Sequence, residues 1–471
     1  MRYGRLGFLM GLGLFVASWA GVWNAYGQNG VSSASVSRAR AEANRPVGLS
    51  MATPPAPDAI AVEEIVNYHR HRLPLPKSGQ GVRMDVRWGN ETTAPGKPSL
   101  LQIGLATGDM AGSSDLGPVN LGLVIDRSGS MASANKMTLV KAALQSLASN
   151  LRPSDIVSIV VFDGAASVVL PASPLGNGNA YRRAVESIQP AGSTNIDAGL
   201  MLGYREVARN LCPGLASRVI LLTDGRANAG VTDSRRIAAN SSEFNEQGID
   251  LSTIGVGQDL DNDLLRALSK SGRGLYHFVA DPNDIAKIFV NEVQSLVSAV
   301  ARNVRVEITQ DGSLHLDRLY GYAPRMEGNR VTLELDDLNS AATQVILLEY
   351  SPESAGQVSV RLRYFDLASQ REVEETQRVA LKRGFKGNTP QDPEVLKNFT
   401  IAGIAQALST MQQSWKRNDL PSAERAIRAA VQQTLDRYPE IEDADIRAQF
   451  EVAQNYLSTL EKLNRRNHVL D

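Results

Sequence analysis

Between Val119 and Val300, short apolar, β-branched runs alternate with stretches whose apolar residues recur at helical spacing. Leu121–Ile125, Ile156–Phe162, Val219–Leu222, Leu251–Val256 and Leu275–Val279 read as buried strands, and Ser167–Leu170 as an edge strand. Lys136–Leu151 places Met137, Val140, Leu144 and Leu147 on one helical face. Tyr181–Ile188, Ile196–Ala208, Ser234–Glu246, Asn262–Lys270 and Pro282–Val300 also read as helices. Apolar strands need cover on both faces, and parallel neighbours need crossovers, which the helical stretches supply. The pattern predicts an α/β fold, a doubly wound, mainly parallel, Rossmann-like sheet with helices on both faces. Such sheets bind ligands beyond the carboxyl ends of their strands.

On both flanks the period changes to two. Val82–Trp88 and Leu100–Leu105 lie before this unit. Val304–Ile308, Val331–Leu335, Val345–Tyr350 and Val358–Tyr364 lie after it, and all alternate as half-buried antiparallel strands do. The economical reading is one β-sandwich built from both flanks with the α/β unit inserted; the other is two unrelated β segments. A short helical segment carrying Ile60, Val62, Ile65 and Val66 precedes the first strand. Three amphipathic helices follow a linker near Lys386–Pro393, marked by Leu396 to Trp415, Leu420 to Leu435 and Ile446 to Leu460, and suggest a helical bundle. The expected divisions are 1–27, 28–58, 59–118, 119–300, 301–385 and 394–465.

Charge and cysteine content remove several functions. Lys+Arg number 49 against 50 Asp+Glu, so no basic excess points to nucleic acid. Cys212 is the only cysteine, which excludes an intrachain disulfide, a four-thiolate zinc site and a two-cysteine redox motif. Neither phosphate-binding glycine motif, G-x-x-x-x-G-K-[ST] or G-x-G-x-x-G, is present. At the start, Arg2 and Arg5 precede an uncharged, largely apolar run from Leu6 to Trp23, followed by Ala25-Tyr26-Gly27. This is the pattern of a secretory signal peptide. The run is also near the lower length limit for spanning a bilayer, so an N-terminal membrane anchor is the alternative. Either implies export, to the periplasm, cell envelope or cell surface. Residues 28–58, rich in Ser, Ala, Asn, Pro and Gly, read as a flexible linker.

The chemistry concentrates at Val124-Ile-Asp126-Arg-Ser128-Gly-Ser130-Met131. An apolar strand ends at Asp126, and a carboxylate and two hydroxyls then fall at alternate positions, with Gly129 allowing the turn. Val219-Ile-Leu-Leu-Thr-Asp224-Gly225 is a second apolar strand ending in a carboxylate, and Gly192-Ser193-Thr194-Asn195 supplies a hydroxyl before a helix. Oxygen donors of this kind suit a hard divalent cation. If the two strands are neighbours, Asp126 and Asp224 converge and Thr194 reaches them from the adjacent loop.

These three motifs, in this order, resemble the metal-ion-dependent adhesion site of von Willebrand factor A domains, over about residues 119–300. The resemblance implies that Ser128 and Ser130 bind the metal directly, Thr194 when ligand is held, and Asp126 and Asp224 partly through water. It implies Mg²⁺, with Mn²⁺ or Ca²⁺ as alternatives, and a protein partner whose carboxylate takes a metal position. Glu63-Glu64-Ile65-Val66-Asn67-Tyr68 resembles the N-terminal region of bacterial exported A-domain proteins. Their A domain sits between β segments, as in inter-alpha-trypsin inhibitor heavy chains.

Ordinary chemistry competes at each position. Asp126, Ser128 and Ser130 are residue types favoured in turns and caps, and Thr194 stands where it can cap the helix at Ile196. Asp163 reads as a turn residue, and Arg127 as a charge near an acidic ligand. His69 and His71 are expected as an exposed pair rather than metal ligands, there being no third ligand. The function expected is metal-dependent adhesion or assembly, without catalysis. A metal-assisted hydrolase is the alternative, although His277 has no evident triad partner, and a scaffold with a vestigial site is another.

Overall fold

The computed structural model describes residues 32, 34–43, 60–77, 79–93, 98–108, 118–212, 215–257, 260–280, 282–297, 299–311, 313–352, 355–384 and 392–470. The expected signal or anchor segment and much of the expected linker lie outside the described residues. Part of that linker corrects the reading made of it: helix α1 (Ala34–Ala43) is ordered and packed. Its small apolar residues make a helical stripe of Val36, Ala39 and Ala43, buried where α1 meets a strand of the α/β unit and the last helix of the chain. An alanine-rich stripe carries little apolar area, and tertiary contact rather than local pattern holds it.

Helix α2 (Val62–Val66) precedes β1 (Val82–Trp88), β2 (Thr92–Thr93) and β3 (Ser99–Thr107). The α/β unit begins with β4 (Val119–Asp126), a short 3-10 segment Gly129–Asn135 and α3 (Lys136–Ala148). It continues through β5 (Ile156–Phe162), β6 (Ala166–Pro174), α4 (Asn179–Ser187), α5 (Ile196–Ala208), β7 (Ala216–Thr223), α6 (Ser234–Glu246), β8 (Ile249–Val256), α7 (Asn262–Ser271), β9 (Arg273–Val279) and α8 (Ile285–Val297). Its six strands lie in the order β6-β5-β4-β7-β8-β9. All neighbours are parallel except β5 and β6. β4, β7 and β8 are buried along their whole length or nearly so, as apolar central strands require. Separate apolar clusters fill the two faces, one around Leu123, Val140 and Phe289, the other around Val124, Tyr204 and Leu221.

The chain then forms β10 (Ala299–Gln310), β11 (Leu314–Leu319), β12 (Arg325–Glu327), β13 (Arg330–Glu334), β14 (Leu338–Asn339), β15 (Thr343–Pro352), β16 (Gly356–Asp366) and β17 (Arg371–Arg383). Strands from both flanks share one sheet, in the order β1-β3-β15-β11. The antiparallel register Leu101↔Leu348 joins residues on opposite sides of the insertion. A seven-stranded sheet, β12-β13-β10-β16-β17-β2 with β14 on β10, faces it. Met84, Ile103, Val306, Ile346, Val360 and Tyr350 fill the space between. The molecule is therefore one sandwich with the α/β unit inserted, as the flanking periodicity predicts.

Helices α9 (Pro393–Lys416), α10 (Leu420–Arg437) and α11 (Ala444–Leu470) pack on one another. Asp392 caps α9, accepting from the amides of Glu394 and Val395. Their shared core includes Ile65 and Val66 of α2 and Val345 and Leu347 of β15, so the bundle covers the outer face of the four-stranded sheet. Among the described residues no helix is long and apolar enough to cross a membrane.

The histidines correct the expectation of an exposed pair. His69 and His71 are both buried, at 7% and 4% exposure, beneath this bundle. His71 Nδ1 lies 3.1 Å from Asn398 Oδ1 of α9 and Nε2 lies 3.2 Å from Asn67 Oδ1. Burial pushes both imidazoles down to about 3, with the Lys397 charge adding to the effect at each.

Candidate metal centre

The site lies at the carboxyl edge of the central strands. β4 and β7 are parallel neighbours with Ile125 opposite Leu222, so Asp126 and Thr223 end their strands side by side. The chain passes from β4 to β5 on one side and later returns as β7 on the other, which opens a crevice at this edge. Thr223 Oγ1 donates to Asp126 Oδ2 at 2.6 Å, and the Ser128 amide donates to Asp126 Oδ1 at 2.7 Å. These bonds fix the Asp126 carboxylate, whose side chain is fully buried. Burial pushes its acid group above the ordinary value, and the Asp224 carboxylate adds to the rise, while hydrogen bonds from Thr223 and Ser128 oppose it.

The hydroxyls gather between the two carboxylates. Ser128 Oγ and Ser130 Oγ are 3.1 Å apart, and Ser130 Oγ donates to Asp224 Oδ1 at 2.7 Å. Ser128, Thr194 and Asp224 are buried, whereas Ser130 is exposed at the rim. The loop bearing Thr194 is locked to this turn. Gly129 N–H donates to the Gly192 carbonyl at 3.1 Å, and Ala191 N–H to the Arg127 carbonyl at 2.6 Å. Gly192 has φ +73°, which strains any side chain there, and a Cβ would also stand a tight 3.0 Å from that of Asp163. Asn228 Oδ1 accepts from Thr194 N–H at 2.7 Å, and the Thr194 carbonyl accepts from Asn228 and Ala229. Thr194 Oγ1 lies 3.9 Å from the point where a Cβ on Gly225 would stand, beside Asp224.

All five residues singled out in the sequence thus meet at one edge. Thr194 does not cap α5; Asn195 does, accepting from the Ala198 amide. Ser128 precedes the 3-10 segment without a side-chain cap bond. Asp163 sits in a turn, accepting from the Ala165 amide, and its carboxylate holds Arg127 at 2.7 Å. Arg127 is therefore engaged within the chain. Two further groups touch the cluster and were not anticipated. Thr223 was present in the Leu-Thr-Asp-Gly motif and could have been read as the neighbour of Asp126. Lys136 donates its ammonium to Asp224 Oδ2 at 2.6 Å, and nothing in its local sequence marks it out from other lysines at a helix start.

The donor set fits a hard divalent ion. Octahedral Mg²⁺ with bonds of about 2.0–2.1 Å places adjacent ligands roughly 3 Å apart, the spacing of the two serine oxygens. The Ser130 hydroxyl has a carboxylate acceptor in Asp224, and the Ser128 hydroxyl meets that of Ser130, which leaves oxygen lone pairs for a cation. Among the described residues no group of three or more His, Cys, Asp or Glu side chains stands where it could hold a metal.

Comparison with known proteins identifies the domain that carries this cluster. Residues 120–291 match the family model of the von Willebrand factor type A domain. The chain is 27% identical over 328 residues to uncharacterized protein YfbK of Escherichia coli strain K12, covering 66% of this chain and 56% of that protein. It is 28% identical over 231 residues to uncharacterized protein sll0103 of a Synechocystis species, covering 49% and 53%. With bovine inter-alpha-trypsin inhibitor heavy chain H1 the identity is 28% over 214 residues, 43% of this chain and 23% of that one. The chain thus spans about half the length of the two bacterial relatives. A solved von Willebrand factor type A structure from Catenulispora acidiphila superposes with a TM-score of 0.57 at 16% identity, covering 76% of this chain and 88% of that one, and so shares the fold. The unit inserted in the sandwich, with the oxygen cluster at its carboxyl edge, is a von Willebrand factor type A domain.

Proposed function

We propose that this chain is an exported protein that binds a protein partner through a divalent metal held by Asp126, Ser128, Ser130, Thr194 and Asp224, the partner supplying a carboxylate. The observation that supports this most is the pair of serine oxygens at octahedral spacing between two buried carboxylates, with the Ser128 amide tied to Asp126 and the Ser130 hydroxyl to Asp224. Domains of this family commonly mediate protein–protein interaction and typically bind a divalent metal ion. Mg²⁺ suits an all-oxygen set, with Mn²⁺ and Ca²⁺ as alternatives. A bound ion supplies a hard positive centre with an exchangeable position. Asp126, fixed from two sides, orients Ser128. Asp224 orients Ser130, and the pinned loop presents Thr194. Export rests on the basic, then apolar, start of the sequence.

We read the site as one for binding rather than turnover. Metal-assisted hydrolysis needs a base beside the ion. His277, the histidine considered for that role, is buried with Nε2 2.7 Å from Glu292 Oε1. The test compares residues 28–471 with the same chain carrying Asp126→Ala, unfolding each thermally in Mg²⁺, Mn²⁺ and chelator. Binding to the folded state alone raises the midpoint, by about 2.7 kcal/mol of stability at a hundredfold excess over Kd, and the substitution abolishes the rise. Metal-independent unfolding, together with a partner complex that withstands chelator, would sink the proposal. Hydrolytic turnover with no partner present would favour the enzyme instead.

A further inference from the structure

Lys136 is placed at a cost. It is the first residue of α3, at the positive end of the helix dipole, where a cation is disfavoured. The two residues before it, Ala134 at φ +51° and Asn135 at φ +56°, both take the left-handed conformation that side chains other than glycine rarely adopt. The strained turn aims the lysine inward. Its ammonium is 2.6 Å from Asp224 Oδ2, with 16% side-chain exposure, and a Cβ on Gly257 would stand 3.8 Å from the nitrogen. Asp224 accordingly faces two ways, with Oδ1 toward Ser130 and Oδ2 toward Lys136.

We infer that Lys136 is the residue that makes the metal centre select acidic ligands, by keeping the loaded site positive. This rests on the metal-site reading above. Arg127 and Asp163 cancel one another. Asp126, Asp224 and Lys136 then leave the cluster with one net negative charge. A divalent ion brings the loaded site to one net positive charge, which an incoming carboxylate neutralises. Without Lys136 the same ion would exactly balance the two aspartates, and the site would have no net charge with which to draw an anion. The same ammonium opposes the metal while it favours the anion. Lys136 therefore acts on the two ligands in opposite directions, which a merely structural lysine would not do.

The experiment uses residues 28–471 as wild type, Lys136→Met and Lys136→Arg. Calorimetric titration with Mg²⁺ alone gives the metal affinity. Titration of the Mg²⁺-saturated proteins with a peptide of six glutamates, less the signal in chelator, gives the metal-dependent anion affinity. Lys136→Met should bind Mg²⁺ at least roughly tenfold more tightly, because a like charge within a few ångströms has gone, and should bind the peptide several-fold more weakly. Lys136→Arg should stay near wild type in both. Circular dichroism of the methionine variant separates these effects from misfolding, and the arginine variant carries the charge test if methionine does not fold, since its charge must then preserve both affinities. Unchanged or weaker Mg²⁺ binding in Lys136→Met overturns the inference, and so does tighter Mg²⁺ binding with peptide affinity intact. A wild type that takes up no Mg²⁺ with or without peptide instead defeats the metal-site reading itself.

Discussion

Gly203 shows how tightly this domain is packed against its central strand. A Cβ there would stand 2.2 Å from Val124 Cγ2, and one on Gly122 of β4 would stand 2.6 Å from Val207 Cγ2. α5 therefore lies on β4 at a distance only glycine permits. Gly203→Ala gains about 1 kcal/mol of helix propensity, but overpacking costs typically 1–3 kcal/mol. The net expectation is a loss of up to about 2 kcal/mol in urea denaturation, and a gain would show that α5 can shift outward. Glu292 carries a different burden. It accepts from Arg218 at 3.2 Å and meets His277 at 2.7 Å, all three residues being buried. Burial works to raise its acid group, yet His277 and Arg218 hold it below the ordinary value. Removing it takes from the buried Arg218 a carboxylate at 3.2 Å and leaves Asp250 at 3.5 Å. Glu292→Ala is expected to cost roughly 3–5 kcal/mol, and Arg218→Met with Glu292→Leu much less, as chemical denaturation would show.

The docking of the helical bundle onto the sheet depends on pH, with a definite sign. His69 and His71 fall from 6.5 to about 3 on folding because they are buried. Their folded values lie below the unfolded ones, so the stability they permit is complete above pH 6.5 and is lost as pH falls toward 3. Each neutral histidine costs about 1.4 kcal/mol for every pH unit below 6.5. Glu63 on α2 acts oppositely. Burial and the neighbouring Glu64 raise it to about 7, so its contribution is complete below 4.5 and is lost as pH rises to about 7. Denaturation between pH 5 and 6.5 should show stability rising with pH, with a smaller slope in His71→Gln; an unchanged slope would place the titrating groups elsewhere. None of this was legible in the sequence, because Asn398 lies 327 residues from His71. Strand β17 was missed for a local reason. Its alternation is between exposed and half-buried positions, and Glu375 and Gln377 share the inward set with Val373 and Val379. The period was present, but charge concealed it. The strands of the A domain were legible because burial on both faces leaves apolar runs, and the five motif residues because carboxylates and hydroxyls at such strand ends and in the loop beside them are conspicuous. Lys136 and α1 were not, since a lysine and a few alanines look the same in solvent as in contact.

At the level of the entire molecule, α1 closes an open edge. β9 ends the six-stranded sheet, and the Tyr276 amide on it donates to Ser32 Oγ at 3.0 Å, while Arg38 of α1 lies over the Phe278 ring at 5.0 Å. An uncovered edge strand invites pairing with another chain. Deleting residues 1–43 should lower the unfolding midpoint and promote self-association in sedimentation, yet leave the Mg²⁺ response intact, because α1 packs at β9 and the metal residues lie on β4 and β7. Loss of that response would instead tie the clasp to the site. The insertion has its own mechanical meaning. The A domain leaves the sandwich after β3 and returns at β10, each an interior strand, one in each sheet. Tension on a partner gripped at the far edge of the domain is thus divided between two tethers. Drawing out either strand means breaking hydrogen-bond ladders on both its sides, so the grip is moored more firmly than a domain hung from a single chain.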